Sequence, residues 1–148
     1  MPPHDVKANA AFDLDAVRTI ELPRHARSEG EVVVAEGDRS VPFAIARMFT
    51  VKAPSGAKRG EHAHRRCSQF MICVHGVIDI GCDDGRSQRI FALDRSNLAL
   101  MVPPTIWNTV MFRHSDSVLA VLCDRGYEEH DYIRDYAEFL AFRGAVHA

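Results

Sequence analysis

Short β-rich runs separated by turn residues fill the chain from Glu31 onward and limit the folds that it can adopt. Glycine, aspartate, serine and proline interrupt these runs at the spacing of hairpins, which is typical of an antiparallel sandwich or barrel. The predicted strands are Val32–Ala35, Phe43–Val51, Glu61–His64, Gln69–His75, Val77–Cys82, Gln88–Leu93, Ala99–Val102, Asn108–Phe112 and Val118–Cys123. Residues 1–30 have no clean period, and we expect a loose arm or a first strand there.

Turn positions can be assigned from residue types. Gly37-Asp38 is expected to close the first hairpin, and Gly85 offers the positive φ that a tight turn needs. Pro103-Pro104 cannot donate to a ladder, so this pair should end a strand or line the mouth of a barrel.

The end of the chain changes from strand to helix periodicity. Ile133, Tyr136, Phe139/Leu140 and Arg143 recur at spacings of three and four, which predicts an amphipathic helix over Asp131–Arg143. Its aromatic face should pack on the outside of the β structure. The sequence therefore predicts one domain over residues 1–148, all-β with one C-terminal helix.

Two of the predicted strands are apolar on both faces, namely Phe70–Val74 and Val118–Leu122. Antiparallel strands have this character when one face lines the interior and the other meets a second layer or a partner subunit. This pattern favours a homodimer.

Charge and hydropathy exclude two classes of partner. The formal net charge of −2 provides no basic field for nucleic acid or an anionic membrane. No apolar run reaches the roughly 18 residues that span a bilayer, and the start of the chain lacks the features of a signal peptide. The four cysteines form no C-x-x-C pair, so we expect buried thiols in a cytoplasmic protein rather than zinc ligands or disulfides.

The strongest motif lies between Gly56 and Gly76. Five residues separate Gly56 from His62, His64 follows two residues later, and Gln69 precedes Gly76 by seven. Residues two apart on a strand point to one face, so both imidazoles should enter the same space. The spacing resembles the first motif of the cupin family, with Gln69 in the place of a glutamate. This resemblance implies that the chain folds as a cupin-type β-barrel (jelly roll).

The segment 97–108 resembles the second cupin motif but ends on Asn108, where the family's histidine would stand. A cupin metal site uses both first-motif histidines, the glutamate and this last histidine. Amides such as Gln69 and Asn108 are poor ligands for a transition metal, and two histidines leave a site incomplete. We therefore predict no metal and no cofactor, with acid–base chemistry by His62 and His64.

Several short segments, in a fixed order, carry a closer resemblance. They are Arg47, R-G-E-H-A-H-R at 59–65, Gln69, C-V-H-G at 73–76, D-D-G at 83–85, V-P-P-x-x-W at 102–107 and Y-E-E-H-D-Y-I-R-D-Y at 127–136. Together they resemble the dTDP-4-keto-6-deoxyglucose 3,4-ketoisomerases, a metal-free cupin family, from about Val32 to Phe142. R-G-x-H-A-H combined with D-Y-I-R is a specific signature.

This resemblance implies a homodimeric barrel that acts on a dTDP-linked 4-keto-6-deoxyhexose. The keto group would move between C4 and C3 through an enediol. The resemblance implies His64 as the base at carbon and His62 as its partner, with the reverse assignment also open.

The resemblance also implies a set of substrate-binding residues. Arg59 would neutralise the diphosphate or the developing enolate, because its guanidinium is a fixed charge with a donor fork. Gln69 would orient a histidine or a sugar hydroxyl, and Trp107 would form an apolar wall. Arg47 and Asn108 complete the set. A solvated charge for Arg59 and core packing for Trp107 are the alternatives.

Two departures from the family pattern leave other functions open. Phe49 and Thr50 stand where family members often carry tyrosine, and Asn108 stands where they can carry histidine. These changes remove two possible proton carriers. The alternatives are an epimerase or dehydratase for a related keto-sugar nucleotide, a non-catalytic sugar-nucleotide-binding cupin, and a metal-dependent cupin dioxygenase.

Overall fold

The computed structural model describes residues 11–147 and contains two five-stranded antiparallel sheets and a separate hairpin. The strands are β1 Arg18–Glu21, β2 Arg24–Arg27, β3 Gly30–Val33, β4 Arg47–Lys52, β5 Lys58–His64, β6 Gln69–His75, β7 Ile78–Asp83, β8 Gln88–Leu93, β9 Leu98–Val102, β10 Trp107–Phe112, β11 Val118–Cys123 and β12 Tyr132–Ile133. The first sheet has the order β1-β9-β6-β11-β4 and the second β12-β5-β10-β7-β8, while β2 pairs with β3. Within the described residues the one α-helix, α1, spans Tyr136–His147.

The two sheets face each other across the main hydrophobic core. Met71 and Leu119 of the first sheet pack in one cluster with Ile80 and Phe112 of the second, and all four are buried. Full burial of such a side chain stabilises the fold by roughly 1.5–3 kcal/mol. For the described residues, this architecture confirms the predicted all-β fold with one C-terminal helix.

A second apolar cluster covers the outer face of the first sheet. Strand alternation turns Phe70 and Leu122 outward, where they pack with Leu22 and Val41. The segment that follows β1 therefore supplies the second layer that the apolar outer faces of β6 and β11 require.

The N-terminal third differs from the prediction. Residues 18–21 form a strand that pairs with β9, so the first-strand alternative is correct there, while residues 1–10 of the predicted arm lie outside the described residues. The strand predicted at Val32–Ala35 is instead Gly30–Val33, because it pairs with β2 through a two-residue turn. The first hairpin therefore turns at Ser28-Glu29 and not at Gly37-Asp38.

The strand predicted over Phe43–Val51 begins only at Arg47. Phe43 packs against the outer cluster, and its carbonyl accepts a hydrogen bond from the Asp38 N–H at 3.0 Å. This local turn removes residues 43–46 from the ladder. Two other turn predictions are confirmed: Gly85 has a φ of +91°, and β9 ends immediately before Pro103.

The predicted helix over Asp131–Arg143 starts five residues too early. Tyr132 and Ile133 pair with His64 and Ala63 of β5, so the chain is still extended there and α1 begins at Tyr136. Ile133 and Phe139 are both fully buried, but one lies on a strand and the other on the helix. None of the helices in residues 11–147 has the length and apolar character needed to cross a bilayer.

Candidate active site

A cavity of about 210 Å³ lies between the inner faces of the two sheets. Its apolar wall is formed by Phe49, Val51, Met71, Val110, Leu119 and Val121. Its polar groups are Arg59, His62, Gln69, Asn108, Tyr132 and Arg134. An apolar wall with a few converging polar groups is typical of a ligand site. The first four of these polar residues are site residues predicted from the sequence.

An irregularity in β5 brings His62 to the cavity. Gly60 and Glu61 have φ values of +77° and +58°, and the pairing with β10 shifts register between Asn108 and Thr109. A Cβ at position 60 would lie 3.1 Å from the Asn108 Oδ1. Position 60 therefore needs glycine, both for its left-handed backbone and for the close approach of the Asn108 amide.

His62 is a neutral imidazole on the cavity wall. Burial lowers its pKa to about 4, with further lowering by His64 and Arg134 and an opposing effect of the Gly60 carbonyl. Its Nδ1 lies 3.1 Å from that carbonyl, which can only accept, so Nδ1 carries the hydrogen. The basic lone pair of His62 is therefore on Nε2.

His64 lies behind His62 and does not line the cavity. Its Nδ1 is 2.8 Å from the Asp131 Oδ2, both residues are buried, and its ring centroid is 5.1 Å from that of His62. Burial raises the pKa of Asp131, but the hydrogen bonds from His64 and from the Arg66 N–H outweigh burial and lower it overall. An ionised Asp131 fixes the Nδ1–H tautomer of His64 and leaves its lone pair on Nε2.

Two buried amides form the floor between the sheets. Gln69 and Asn108 are each 2% exposed, and the Asn108 Nδ2 lies 3.5 Å from the Gln69 Oε1. Each amide has further hydrogen-bonding capacity toward the cavity. They can therefore bind sugar oxygens, but neither can transfer a proton at neutral pH.

Two exposed arginines, Arg59 and Arg134, mark the mouth of the cavity. The Arg134 guanidinium pairs with Glu129 at 3.0 Å and lies 4.2 Å from the centroid of the Tyr132 ring. Arg59 places a fixed positive charge at the entrance, whereas Glu129 balances the charge of Arg134.

Arg47 and Trp107, also predicted as site residues, lie outside the cavity lining. The Arg47 Nη2 lies 3.6 Å from the Cys123 Sγ, and its guanidinium is 5.6 Å from the centroid of Phe49, which does line the cavity. Trp107 neighbours Asn108 on β10, so its side chain points to the opposite face and packs against Phe139 under α1. The packing alternative for Trp107 therefore agrees with its position.

Asp131, Tyr132 and Arg134 belong to the site but were not predicted as site residues. All three lie in the D-Y-I-R segment. The match of this segment to the family was the signal that could have identified them as site residues. The segment was instead predicted to be helical, so its pairing with β5 was not expected. The two residues that replace the family tyrosine also separate. Phe49 lines the cavity, whereas Thr50 is exposed on the outer face of β4.

One group of side chains could hold a metal ion. The donor atoms of His64, Cys67 and Asp131 lie within 4.8 Å of one another. The His64 Nδ1 bonds to Asp131 and the Asp131 Oδ1 accepts from the Arg66 N–H at 2.7 Å, whereas the buried His64 Nε2 has no hydrogen-bond partner. A hydrogen bond with Cys123 and burial raise the pKa of the Cys67 thiol, which disfavours the thiolate. The group is better suited to orienting His64 than to binding a metal.

The FdtA family model, described as WxcM-like, C-terminal, matches residues 15–144. The chain belongs to this family. It is 32% identical over 126 residues to the TDP-4-oxo-6-deoxy-α-D-glucose-3,4-oxoisomerase of Aneurinibacillus thermoaerophilus, which covers 84% of this chain and 91% of the relative. The predicted resemblance to the ketoisomerases is thereby confirmed.

Two solved structures of one ketoisomerase are similar to this chain. QdtA, a sugar 3,4-ketoisomerase from Thermoanaerobacterium thermosaccharolyticum in complex with TDP, has a TM-score of 0.85 at 28% identity, over 90% of this chain and 98% of that chain. A mutant of QdtA in complex with TDP-4-keto-6-deoxyglucose has a TM-score of 0.84 at 27% identity, over 87% and 94% of the two chains. The family resemblance thus extends to the whole sandwich.

Proposed function

We propose that this protein is a sugar-nucleotide 3,4-ketoisomerase that interconverts the 4-keto and 3-keto forms of a dTDP-linked 6-deoxyhexose. The observation that carries the proposal is a neutral imidazole, His62, on the wall of a cavity in a member of the ketoisomerase family. The QdtA complexes with TDP and with TDP-4-keto-6-deoxyglucose support the choice of ligand.

His62, rather than His64, is the proposed base at carbon. His62 lines the cavity with a free lone pair on Nε2, whereas His64 is buried behind it and held by Asp131. The hydrogen on C3 is acidic because it lies next to the C4 ketone. Its removal gives an enediolate. Return of the proton to C4 completes the proton transfer between the two carbons. This assignment is the reverse of the one first implied by the family resemblance.

His64 and Asp131 are proposed to position and polarise the site. The rings of His62 and His64 meet edge to face at 5.1 Å, so His64 limits the orientations of His62. The buried Asp131 prevents His64 from rotating, because rotation would leave a carboxylate without its partner. The reaction requires only acid–base groups, in keeping with the predicted absence of a metal and a cofactor.

The substrate is proposed to enter with its diphosphate at the mouth of the cavity. Arg59 offers a positive charge there, and a guanidinium forms bidentate hydrogen bonds with phosphate oxygens. Arg134 lines the same mouth but is paired with Glu129. The sugar then lies between the apolar wall and the amides of Gln69 and Asn108. Arg47 is proposed to act from behind the wall, through its contact with Phe49.

The test is to incubate the protein with dTDP-4-keto-6-deoxyglucose in D2O and to follow the sugar by NMR. We expect a 3-keto product that carries deuterium at C4. His62→Asn should lose this exchange. His75→Asn is its matched control, since His75 is an exposed histidine on β6 that pairs with Asp116 at the surface. Deuterium exchange that only inverts a centre next to the ketone would identify an epimerase, and would contradict the proposal.

A non-catalytic sugar-nucleotide-binding protein is the second candidate. Phe49 and Asn108 line the cavity where family members can carry a phenol and an imidazole, and neither side chain can move a proton. Binding of the keto-sugar nucleotide without exchange or product in the same experiment would establish this alternative.

We also propose a homodimer that forms through the outer face of the first sheet. Met48 of β4 and Val74 of β6 are 61% and 51% exposed on that face. Light scattering should give twice the mass of one chain. The double variant Met48→Glu with Val74→Glu should reduce the measured mass to that of one chain. Ile90→Glu is the matched control, because Ile90 is 64% exposed on β8 of the other sheet. A mass of one chain for the unaltered protein would contradict the dimer.

The setting proposed for this enzyme is the cytoplasm, in the synthesis of a deoxysugar for a polysaccharide. Within the described residues all four cysteines are free buried thiols, which suits a reducing compartment. The slightly negative net charge agrees with the expectation that the protein binds neither nucleic acid nor a membrane. Cell fractionation that recovers the protein outside the cytoplasm would contradict this setting.

A further inference from the structure

The mouth of the cavity carries one unpaired and one paired arginine. Within residues 11–147, the Arg59 side chain has no ion pair and no hydrogen bond. Arg134 donates from Nε to the Glu129 Oε1 at 3.0 Å and from Nη2 to the Glu129 Oε2 at 3.1 Å. Two such nitrogens form a donor fork of the kind that binds a phosphate group through two parallel hydrogen bonds. Glu129 therefore occupies a donor fork that a diphosphate at the mouth could use.

Glu129 adds a negative charge at this position. Its Oε2 also accepts a hydrogen bond from the Tyr127 hydroxyl. The hydrogen bonds from Arg134 and Tyr127 lower the pKa of Glu129 to about 2, so its carboxylate is ionised at neutral pH. A diphosphate that approaches Arg134 thus meets a carboxylate of like charge on the guanidinium that it would bind.

The pair of Glu129 and Arg134 can separate at low cost. The two side chains are 63% and 53% exposed, and an exposed ion pair contributes little because water replaces each partner. Arg134 also has a second contact, since its guanidinium lies 4.2 Å from the centroid of the Tyr132 ring. Departure of Glu129 would therefore free the charge of Arg134 and leave the guanidinium at the mouth.

We propose that Glu129 competes with the diphosphate of the substrate for Arg134 and thereby sets how tightly the site holds a nucleoside diphosphate. This role rests on the diphosphate site of the proposed function. In the empty site Glu129 holds Arg134. When a nucleotide enters, phosphate oxygens replace the carboxylate on the donor fork, and Glu129 turns to water. When the product leaves, Glu129 takes Arg134 back, which favours release.

Glu129→Gln tests this role. The amide keeps the shape of the side chain and an oxygen that accepts from Arg134, but it removes the charge. Calorimetry measures the affinity for dTDP, and an NMR titration measures the affinity for thymidine. We expect the variant to bind dTDP about 5-fold more tightly, as for the loss of one exposed like charge. Its affinity for thymidine should not change, because thymidine has no phosphate, whereas a merely structural effect would alter both affinities.

Glu128→Gln is the matched control. Glu128 precedes Glu129 in the chain, and its carboxylate pairs with His130 at 3.0 Å rather than with Arg134. This variant removes the same charge from the same segment and should leave the affinity for dTDP unchanged. Equal tightening by the two variants would reduce the role of Glu129 to an effect of net charge and would overturn it.

Two further results would overturn the role of Glu129. One is unchanged or weaker binding of dTDP by Glu129→Gln, and the other is tightening of thymidine to the same extent as dTDP. Because the experiment measures binding, it separates this role from the proposed reaction. An unaltered protein that binds no dTDP would overturn both, whereas one that binds dTDP without isomerising the keto sugar would contradict the ketoisomerase activity alone.

Discussion

Two histidine–aspartate pairs in this chain show how burial decides what one interaction does. His64 and Asp131 meet at 2.8 Å with side chains that are 2% and 6% exposed. His75 and Asp116 meet at 3.0 Å with side chains that are 67% and 69% exposed. Water competes with the surface pair and screens it, so that pair contributes little to stability. The buried pair cannot exchange its partner for water, so it fixes the orientation of His64.

Because the His64–Asp131 pair is buried, Asp131→Asn is a more informative substitution than Asp116→Asn. We expect it to lower the free energy of unfolding by about 2 kcal/mol at neutral pH, because a buried hydrogen bond to a charged group is lost. Activity should fall at least about 10-fold, since the His64 imidazole loses its fixed tautomer. Denaturant unfolding and product formation measure the two effects.

The effect of Asp131→Asn on stability depends on pH, and the sign of this dependence follows from the pKa of Asp131. The folded protein holds the pKa of Asp131 below its ordinary value. Its stabilisation is therefore present at neutral pH and is lost as the pH falls through the folded pKa. The difference in stability between the unaltered protein and Asp131→Asn should narrow below about pH 4. Asp116→Asn should change little at any pH, and an equal effect of the two substitutions would contradict the role given to burial.

Sequence spacing predicted some site residues well and others not at all. His62, Gln69 and Asn108 were predicted because a fixed motif spacing on alternating strands determines which side chains point inward. Trp107 lies one position from Asn108, and the same alternation directs it outward. Asp131 and Tyr132 were missed because their position depends on the pairing of β12 with β5, which no local pattern in the sequence specifies.

At the scale of elements, α1 and β12 together support β5, the strand that carries His62 and His64, from outside. Phe139 of α1 is fully buried in a cluster with Ile133 of β12 and Ala63 of β5, the residue between the two histidines. Trp107 packs against the same cluster, at 5.6 Å from the Phe139 ring centroid. The helix therefore holds β12 against β5, and with it Asp131 against His64.

Phe139→Ala tests this support. Removing a fully buried phenylalanine should lower the free energy of unfolding by about 3–5 kcal/mol. The single tryptophan of the chain, Trp107, reports the change directly, and its fluorescence should shift to the red as water enters. Leu140→Ala, at the next position of α1, removes a side chain that is 41% exposed and should cost much less. Equal costs for the two substitutions would argue against the support role.

The same contrast between local and long-range information applies to the elements. The bounds of β6, β8 and β11 agree with the prediction, because their apolar runs are short and end at turn residues. The predicted start of the helix was wrong because Ile133 fits the helical spacing of apolar residues, although it lies on a strand and is buried there. The hairpin of β2 and β3 was missed because its strands are largely exposed and carry no apolar alternation.

At the scale of the whole molecule, the sandwich gives each face of the first sheet a separate task. The inner face meets the second sheet around the main core and the cavity, while the outer face is covered in part by the segment that contains Leu22 and Val41. The apolar runs predicted this layered fold correctly because burial on both faces leaves a clear signal in the sequence. They could not predict which histidine reaches the cavity, since that depends on the irregularity at Gly60 and on the position of Asp131.

The identity of the carbon base is the central claim, and hydrogen exchange at C3 tests it most directly. Exchange of dTDP-4-keto-6-deoxyglucose with D2O would be compared by NMR in His62→Asn, His64→Asn and the surface control His75→Asn. We predict that His62→Asn loses exchange by at least about 100-fold, whereas His64→Asn slows it without abolishing it and His75→Asn leaves it unchanged. Normal exchange in His62→Asn together with its loss in His64→Asn would contradict the account and assign the base to His64.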